Sequence, residues 1–501
     1  MKRKPKPVNT GGGTHVRILR IYIKIATGGF LTTLLMLSAT ANAANWLELQ
    51  GTEPEGAEQL GKVWGFVQVQ YQDDSSSPNP VSPRNGYISP KLIGPNLETQ
   101  ESFNVNRARI GVRGVAMPLD QKINYFLLLE MGNNGITEPS SAFAKATDAS
   151  ITFNHLKGAR VRAGLFKYPG AEEGLQAIHV FDYINFTWVT NQMLLERFPN
   201  KRYTSNNLDT PLPPETRFNG FERSVGAFRD VGVQVFDWFK FGNDWEWSYA
   251  VMYGNGNGLN FTDNDDNKDL YLYTSFEKVY GGKGPRRQGL KIFAWSQSGK
   301  RTADLTTDDC LSDAATWPNC APQGQQRIST IHNPEEYDRD RMGIGIRYLR
   351  NGIRASAEYM EGEGMIFQAP HNASFGIGPG QGVVLNPATL LPQPGNGAYA
   401  EANGYYVEGG YRFKNTGWEL DLRYDVYNRL DGNQFEIEFK RTTIGVQYFF
   451  NPRVRLAINY EIREGNAPNF PDAGAPNSGP NNNVQGIDNR LALQITGIWS
   501  Q

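Results

Sequence analysis

Three arginines in the run NRARIGVRG, Arg107, Arg109 and Arg113, recur at even spacings. An extended chain carries such positions on one side. Arg160 and Arg162 repeat the pattern, and Lys167 follows where VRAGLFKYP runs into a polar segment that also holds Arg217 and Arg223. A guanidinium is a planar fork that donates two parallel hydrogen bonds to a carboxylate or phosphate, so rows of this kind suit oxyanions. The opposite sign follows the same rule. Glu130, Asp148, Asp230, Glu246, Asp269, Glu277, Glu358, Glu408, Glu419, Asp421, Asp425 and Glu461 occupy the polar side of alternating runs. A wall with both signs either separates into a basic and an acidic face or pairs its charges to stiffen itself. The basic early runs and the acidic later ones favour separation. Catalytic sets are poorly represented. Past residue 43 the histidines are His155, His179, His332 and His371, and none shows a Ser or Asp arrangement that would activate it. The Asp263–Asp269 run DNDDNKD lacks the ligand spacing of a calcium loop. GNGNG and GPGQG lack the Lys-Ser/Thr of a phosphate loop. No catalytic residue, metal site or cofactor is expected.

The elements that must carry these charges are legible in YFFNPRVRLAINYEIRE. Val454, Leu456, Ile458, Tyr460 and Ile462 alternate with Arg453, Arg455, Ala457, Asn459, Glu461 and Arg463. In a strand, one face is then apolar and the other charged. The same alternation recurs in sixteen runs, near 62–71, 103–115, 122–131, 147–155, 159–167, 227–236, 244–253, 268–278, 289–297, 339–349, 352–361, 404–413, 417–427, 435–450, 453–464 and 488–499.

Residues 1–43 read as a secretory signal. Seven basic residues and no acid precede or border the apolar run Ile25–Leu37, and Ala41-Asn42-Ala43 offers the small-residue cleavage site. Cleavage there would leave 43 basic against 51 acidic residues, a net charge of −8 that argues against nucleic acid as a partner. Mean hydropathy is −0.51, yet aromatics reach 12% and glycines number 54. That combination fits a secreted all-β protein or an outer-membrane barrel. Cys310 and Cys320, ten positions apart in one exported polar loop, are expected to form a local disulfide.

The connections decide between the two. Short links such as HLKG, RNG, KNTG and NP alternate with long polar ones, at 72–102, 132–146, 168–226, 254–267, 298–338, 362–403, 428–434 and 465–487. A meander with an even strand number and all its long loops at one end is the bacterial outer-membrane plan. Charge on one face of so many strands cannot enter a dry core, so it must surround water. The expected fold is therefore all-β: a transmembrane antiparallel β-barrel of about 16 strands over residues 62–501, preceded by a short periplasmic segment at 44–61.

NRARIGVRG, VRAGLFKYP, FRDVGVQV (Phe228–Val235), YGNGNG (Tyr253–Gly258) and the closing YFFNPRVRLAINYE with DNRLALQITGIW resemble the phosphate-selective porin O and P family. The resemblance implies a sixteen-stranded, usually trimeric porin whose third loop, here 168–226, folds into the lumen as a constriction. It implies uptake of anions, led by wall arginines and a constriction lysine. By alternation Arg107, Arg109, Arg113, Arg160 and Arg162 point to the lumen, Lys167 stands where the strand enters the third loop, and Arg217 and Arg223 lie in that loop; these are the expected pore-lining, anion-binding positions. The expected partners are small polar or anionic solutes, outer-membrane lipid and two further copies of the chain. The expected function is passive diffusion across the outer membrane with a leaning to anions such as phosphate. The alternatives are a non-selective general-diffusion porin and a plugged barrel serving as a structural protein or adhesin. Trp499-Ser500-Gln501 departs from the aromatic end common among such barrels.

Overall fold

A computed structural model describes residues 46–76, 101–137, 143–195, 226–308, 330–366, 401–469 and 487–500, save 55, 117–118, 135, 260–262, 264, 283–285, 365, 433–435 and 467. Compactness separates Met1–Thr40, which lies outside the described residues, from the unit Ala41–Gln501. The second unit contains sixteen strands: β1 (Lys62–Asp74), β2 (Glu101–Ala116), β3 (Asp120–Glu130), β4 (Lys145–Phe153), β5 (Arg160–Lys167), β6 (Arg229–Phe241), β7 (Trp245–Gly254), β8 (Asp269–Gly281), β9 (Gln288–Asp308), β10 (Thr330–Arg350), β11 (Ile353–Glu363), β12 (Glu401–Arg412), β13 (Trp418–Arg429), β14 (Ile437–Asn451), β15 (Val454–Asn466) and β16 (Arg490–Ser500). Each pairs antiparallel with its sequence neighbours, and β1 closes on β16 from Trp64↔Ser500 to Asp74↔Arg490. Every run read from the sequence overlaps one of these strands, and short and long connections alternate as expected.

Alternation sets which way each side chain points. On β15, Tyr460 and Ile462 are exposed on the outside, whereas Arg455, Glu461 and Arg463 are buried within. On β13, Trp418, Leu420, Leu422 and Tyr424 face out, and Glu419, Asp421, Arg423 and Asp425 face in. The outer aliphatic band includes Val69, Ile110, Ile151, Val233, Ile292 and Ile344. Aromatic rings bound it. Near the short turns stand Trp245, Tyr411, Trp418, Phe450 and Trp499, and near the long loops Phe103, Tyr253, Tyr359, Tyr405 and Tyr460. Rings of this kind suit the two lipid–water boundaries. The tightest turn, Asn351-Gly352 between β10 and β11, has φ of 52° and 87°, the pair of positive values that a two-residue hairpin needs.

Two features depart from the simple pattern. First, β9 and β10 run to 21 residues each and stay paired as far as Asp308↔Thr330. About ten residues suffice to cross a bilayer, so this hairpin stands well clear of the membrane. Residues 298–308 and 330–338 of the expected 298–338 loop are thus strand, and 309–329 lie outside the described residues. Over these strand extensions the sequence lacks the apolar alternation that betrays a strand. Second, β2 carries a bulge. Gln68 pairs with Arg107 and Val69 with Val105, which leaves Asn106 as the extra residue. An extra residue reverses the facing of everything on one side of it. Phe103 and Val105 consequently face out, whereas Arg107 and Arg109, of the same parity, face in.

Leu422 lies between Trp418 and Tyr424 on the outer face, in the aliphatic band. Leu422→Arg should cost about 2–4 kcal/mol, the price of a cation at mid-bilayer. Reversible urea unfolding in lipid vesicles measures it, and a loss below about 1 kcal/mol would place this residue away from hydrocarbon.

Candidate functional site

The inner wall divides into two regions that treat charge differently. On β2, β5 and β6, Arg107 donates from Nη1 to Gln68 Oε1 at 3.1 Å. Arg109 binds Glu130 at 2.6 Å and Thr137 at 3.0 Å. Arg113 bonds Glu53 and the carbonyls of Leu49 and Thr52. Arg160 pairs with Asp237 at 3.1 Å and lies 4.4 Å over the ring of Trp238. Arg162, fully buried, reaches Thr152, Gln50, Thr52 and the Leu47 carbonyl, with Phe236 under its guanidinium at 4.4 Å. Lys167 donates to the carbonyls of Gly174 and Gln176 at 2.8 and 2.6 Å. Arg107, Arg162 and Lys167 therefore meet only neutral oxygens among the described contacts. The charges of Arg107, Arg109, Lys167 and Arg229 act on one another across this wall. Arg229 was not singled out from sequence, because it opens β6 beside Asp230. It pairs with Asp148 at 3.0 Å. Arg217, Arg223, Cys310 and Cys320 lie outside the described residues.

On the facing wall, β11 to β16, most of the buried guanidiniums meet a carboxylate directly, with Arg455 bonding Gln447 at 3.0 Å instead. Arg354 spans Glu408 at 3.0 Å, Asp421 at 2.6 Å and Asp182 at 3.2 Å. Arg441 chelates Asp425 at 2.9 Å and lies 3.4 Å from Glu461, which Arg490 also holds at 2.7 Å. Arg463 binds Asp74 at 2.6 Å, across the closing seam. Separation of the two signs into opposed walls, favoured from sequence, is not what forms. The acids of β12 and β13 are answered by arginines of β11, β13 and β14; Arg423 and Arg441 stand opposite Glu408 and Asp425 in register, and Arg354 reaches Glu408 and Asp421 from β11. A carboxylate with little access to water needs such partners.

Residues 168–195 run across the interior between the walls. The turn α2 (Glu172–Leu175) places Glu172 against Lys291 at 2.5 Å and Arg347 at 3.1 Å, and Glu173 against Arg423 at 3.3 Å. Burial alone would raise the Glu172 carboxyl, but Lys291 and Arg347 hold it below its ordinary range. Further along, Asp182 receives Arg286 at 2.7 Å. The Ile184 amide donates to Asn459 at 2.8 Å, Asn185 to Glu461 at 2.8 Å, and the Trp188 amide to Asp425 at 2.7 Å. The Trp188 ring stacks on Phe439 at 4.7 Å. The middle of this segment thus docks polar groups on the paired wall and buries its apolar side chains in one cluster with Phe236, Tyr271 and Trp295. A narrow crevice remains beside it, lined by Trp46, Gln176, Asp182, Arg286, Arg347 and Arg354.

His179 lies 5.0 Å from Phe66 and 5.7 Å from Trp64, ring to ring. Burial, then the nearby Arg455, Arg109 and Lys167, push its pKa down to about 3, so the ring is uncharged at neutral pH. His155 meets Asp120 at 2.7 Å at the exposed short-turn rim. His371 and the His332 side chain lie outside the described residues.

Residues 283–475, which hold β9 to β15, match the model of the family described as phosphate-selective porin O and P. No curated protein matches the chain. Among solved structures, it is similar to the loop-deletion mutant OmpTdeltaL8 of the Vibrio cholerae outer membrane protein OmpT, with 10% identity, 88% of this chain and 100% of that one covered, and a TM-score of 0.47. An anion-selective porin from Comamonas acidovorans gives 10% identity, 88% and 99% coverage and 0.46. The outer membrane channel DcaP of Acinetobacter baumannii gives 11%, 90% and 100%, and 0.45.

Glu461 is shared by Arg441 and Arg490 and accepts a bond from Asn185. Glu461→Ala leaves Arg490 without its carboxylate, and should cost about 3 kcal/mol, as removal of one partner of a buried pair does. Chemical denaturation of the folded barrel reads the loss. A change under about 1 kcal/mol would mean that water reaches these guanidiniums freely.

Proposed function

We propose that the chain is an outer-membrane porin through which small hydrophilic solutes diffuse passively, with a leaning to anions such as phosphate. One observation carries the reading: a closed sixteen-stranded barrel presents its aliphatic face outward between two aromatic rings and its charges inward. Such a barrel is wide enough to enclose an aqueous route, and the family match over 283–475 points the same way. Nothing is catalysed; the filter is geometric and electrostatic. Segment 168–226 serves as the constriction, since its described part already crosses from the β5 side to β15. The anion leaning rests on the positive potential of the β2 to β6 wall, to which Arg107, Lys167 and, more weakly, Arg162 contribute. Among the described contacts their hydrogen bonds go to neutral oxygens, with Glu130 and Asp148 acting on them only at longer range, whereas the arginines of β11, β13 and β14 named above are paired directly. Assembly as a homotrimer follows from the resemblance, and the mass of the detergent-solubilised complex tests it.

A plugged barrel is the second reading. It is favoured by the buried apolar cluster that joins residues 168–195 to the wall. Planar-bilayer recording separates the two. Stable ion steps support the porin, and a silent bilayer with correctly folded protein supports the plug. In asymmetric KCl the reversal potential should show anion preference, and cation preference would remove that leaning. Replacing Arg107 and Lys167 together with Ala should move the potential toward cations. An unmoved value would take both residues off the solute path.

A further inference from the structure

Arg113 and Arg162 were read as anion ligands, yet their donors are already spoken for by the chain itself. The short helix α1 (Trp46–Leu49) and the residues after it lie against the inner wall near the short turns. Arg162 donates to the Leu47 carbonyl at 2.9 Å and to Thr52 Oγ1 at 3.2 Å. Arg113 donates to the carbonyls of Leu49 at 3.0 Å and Thr52 at 2.8 Å, and pairs with Glu53. Trp46 Nε1 donates to Glu172 at 2.9 Å, which ties the segment to the turn α2. The Glu53 amide donates to Asn124 at 2.9 Å. Gly51, at φ 110°, lets the backbone press against Phe126, whose Cβ would lie 2.7 Å from any Cβ added there. Trp46 and Leu47 are 4% and 1% exposed.

We propose that residues 46–53 are a selectivity element of the passage. They offer carbonyl oxygens and one carboxylate to Arg113 and Arg162 in place of a solute anion, and they narrow the short-turn end of the lumen. A carbonyl is a weaker acceptor than a carboxylate or phosphate oxygen for a guanidinium. The two arginines are therefore held at reduced pull on passing anions, while Arg107, with one described bond to Gln68, has more of its fork available. Trp46 couples this segment to residues 168–195 through Glu172, so the two fillings of the lumen share one anchor.

This inference rests on the porin reading, and the experiments keep the two apart. The full chain, a form lacking residues 46–53 and Glu53→Gln are recorded in planar bilayers in KCl, each first shown to be folded by heat-modifiable gel mobility. The deletion should raise unitary conductance and shift the reversal potential toward the chloride equilibrium. Glu53→Gln should give the same direction of shift with conductance unchanged, since it removes charge and almost no volume. A folded deletion form with unaltered conductance and potential overturns the proposal. In a background with Cys310 and Cys320 changed to Ser, Trp46→Cys should resist a bulky maleimide that readily labels Lys414→Cys on an exposed turn. Equal labelling of the two also overturns it. If the full chain is silent and the deletion form conducts, the segment closes the route, which supports its role. If both are silent, the porin reading and the selectivity role fail together, and protection of position 46 then marks a structural strut.

Discussion

Everything in this molecule depends on the ladder that joins β1 to β16. In hydrocarbon an unpaired backbone amide costs several kcal/mol, and a sheet with two open edges would leave a whole row of them. Pairing from Trp64↔Ser500 to Asp74↔Arg490 leaves no such edge. Closure in turn gives the wall an inside, and only then does alternation acquire a meaning. The seam is also reinforced in side chains: Gln70 bonds Gln494 at 2.5 Å, and Arg463 of β15 reaches over to Asp74 of β1. The strand ends are therefore held by polar contacts on the one face where water or polar partners exist.

The interior solves a competition between two demands on arginine. A channel for anions wants guanidiniums with free donors, whereas a wall of limited hydration wants each cation matched. The chain assigns the tasks to different sides. From β11 to β16 arginine and carboxylate interlock and grip residues 168–195, so that this segment has a firm seat. From β2 to β6 several cations meet neutral oxygens instead. Rigidity on one side thereby allows positive potential on the other.

The strands were legible because lipid outside and polar groups inside impose period-two alternation on every crossing, and because aromatic residues mark its ends. Val454 to Ile462 shows this within nine residues. What sequence hid was set by distance along the chain. Nothing near Asp182 announces Arg354, and nothing near Leu47 announces Arg162; these pairs exist only once the barrel has closed. Nothing in the short segment 44–61, expected in the periplasm, announces that the side chains of Trp46 and Leu47 are buried. The upper parts of β9 and β10 were missed because their residues, SGKRTADLTTD and TIHNPEEYD, carry no apolar alternation. Charge segregation was misjudged for a related reason. Counting acids per strand ignores that cross-strand neighbours, such as Glu408 and Arg423, face each other in register.

The bulge at Asn106 deserves a genetic reading. In this wall the position of one surplus residue acts as a switch of sidedness, dividing β2 into a stretch that shows Phe103 and Val105 to lipid and one that shows Arg107 and Arg109 to the lumen. Insertions in the long loops leave the strands in phase, but a single-codon deletion here would put the arginines or the apolar pair on the wrong side. Moving the surplus residue by two positions along the strand, with no change in composition, would transfer one side chain between membrane and water. Strand phase, as much as residue identity, is thus a heritable determinant of what the lumen displays.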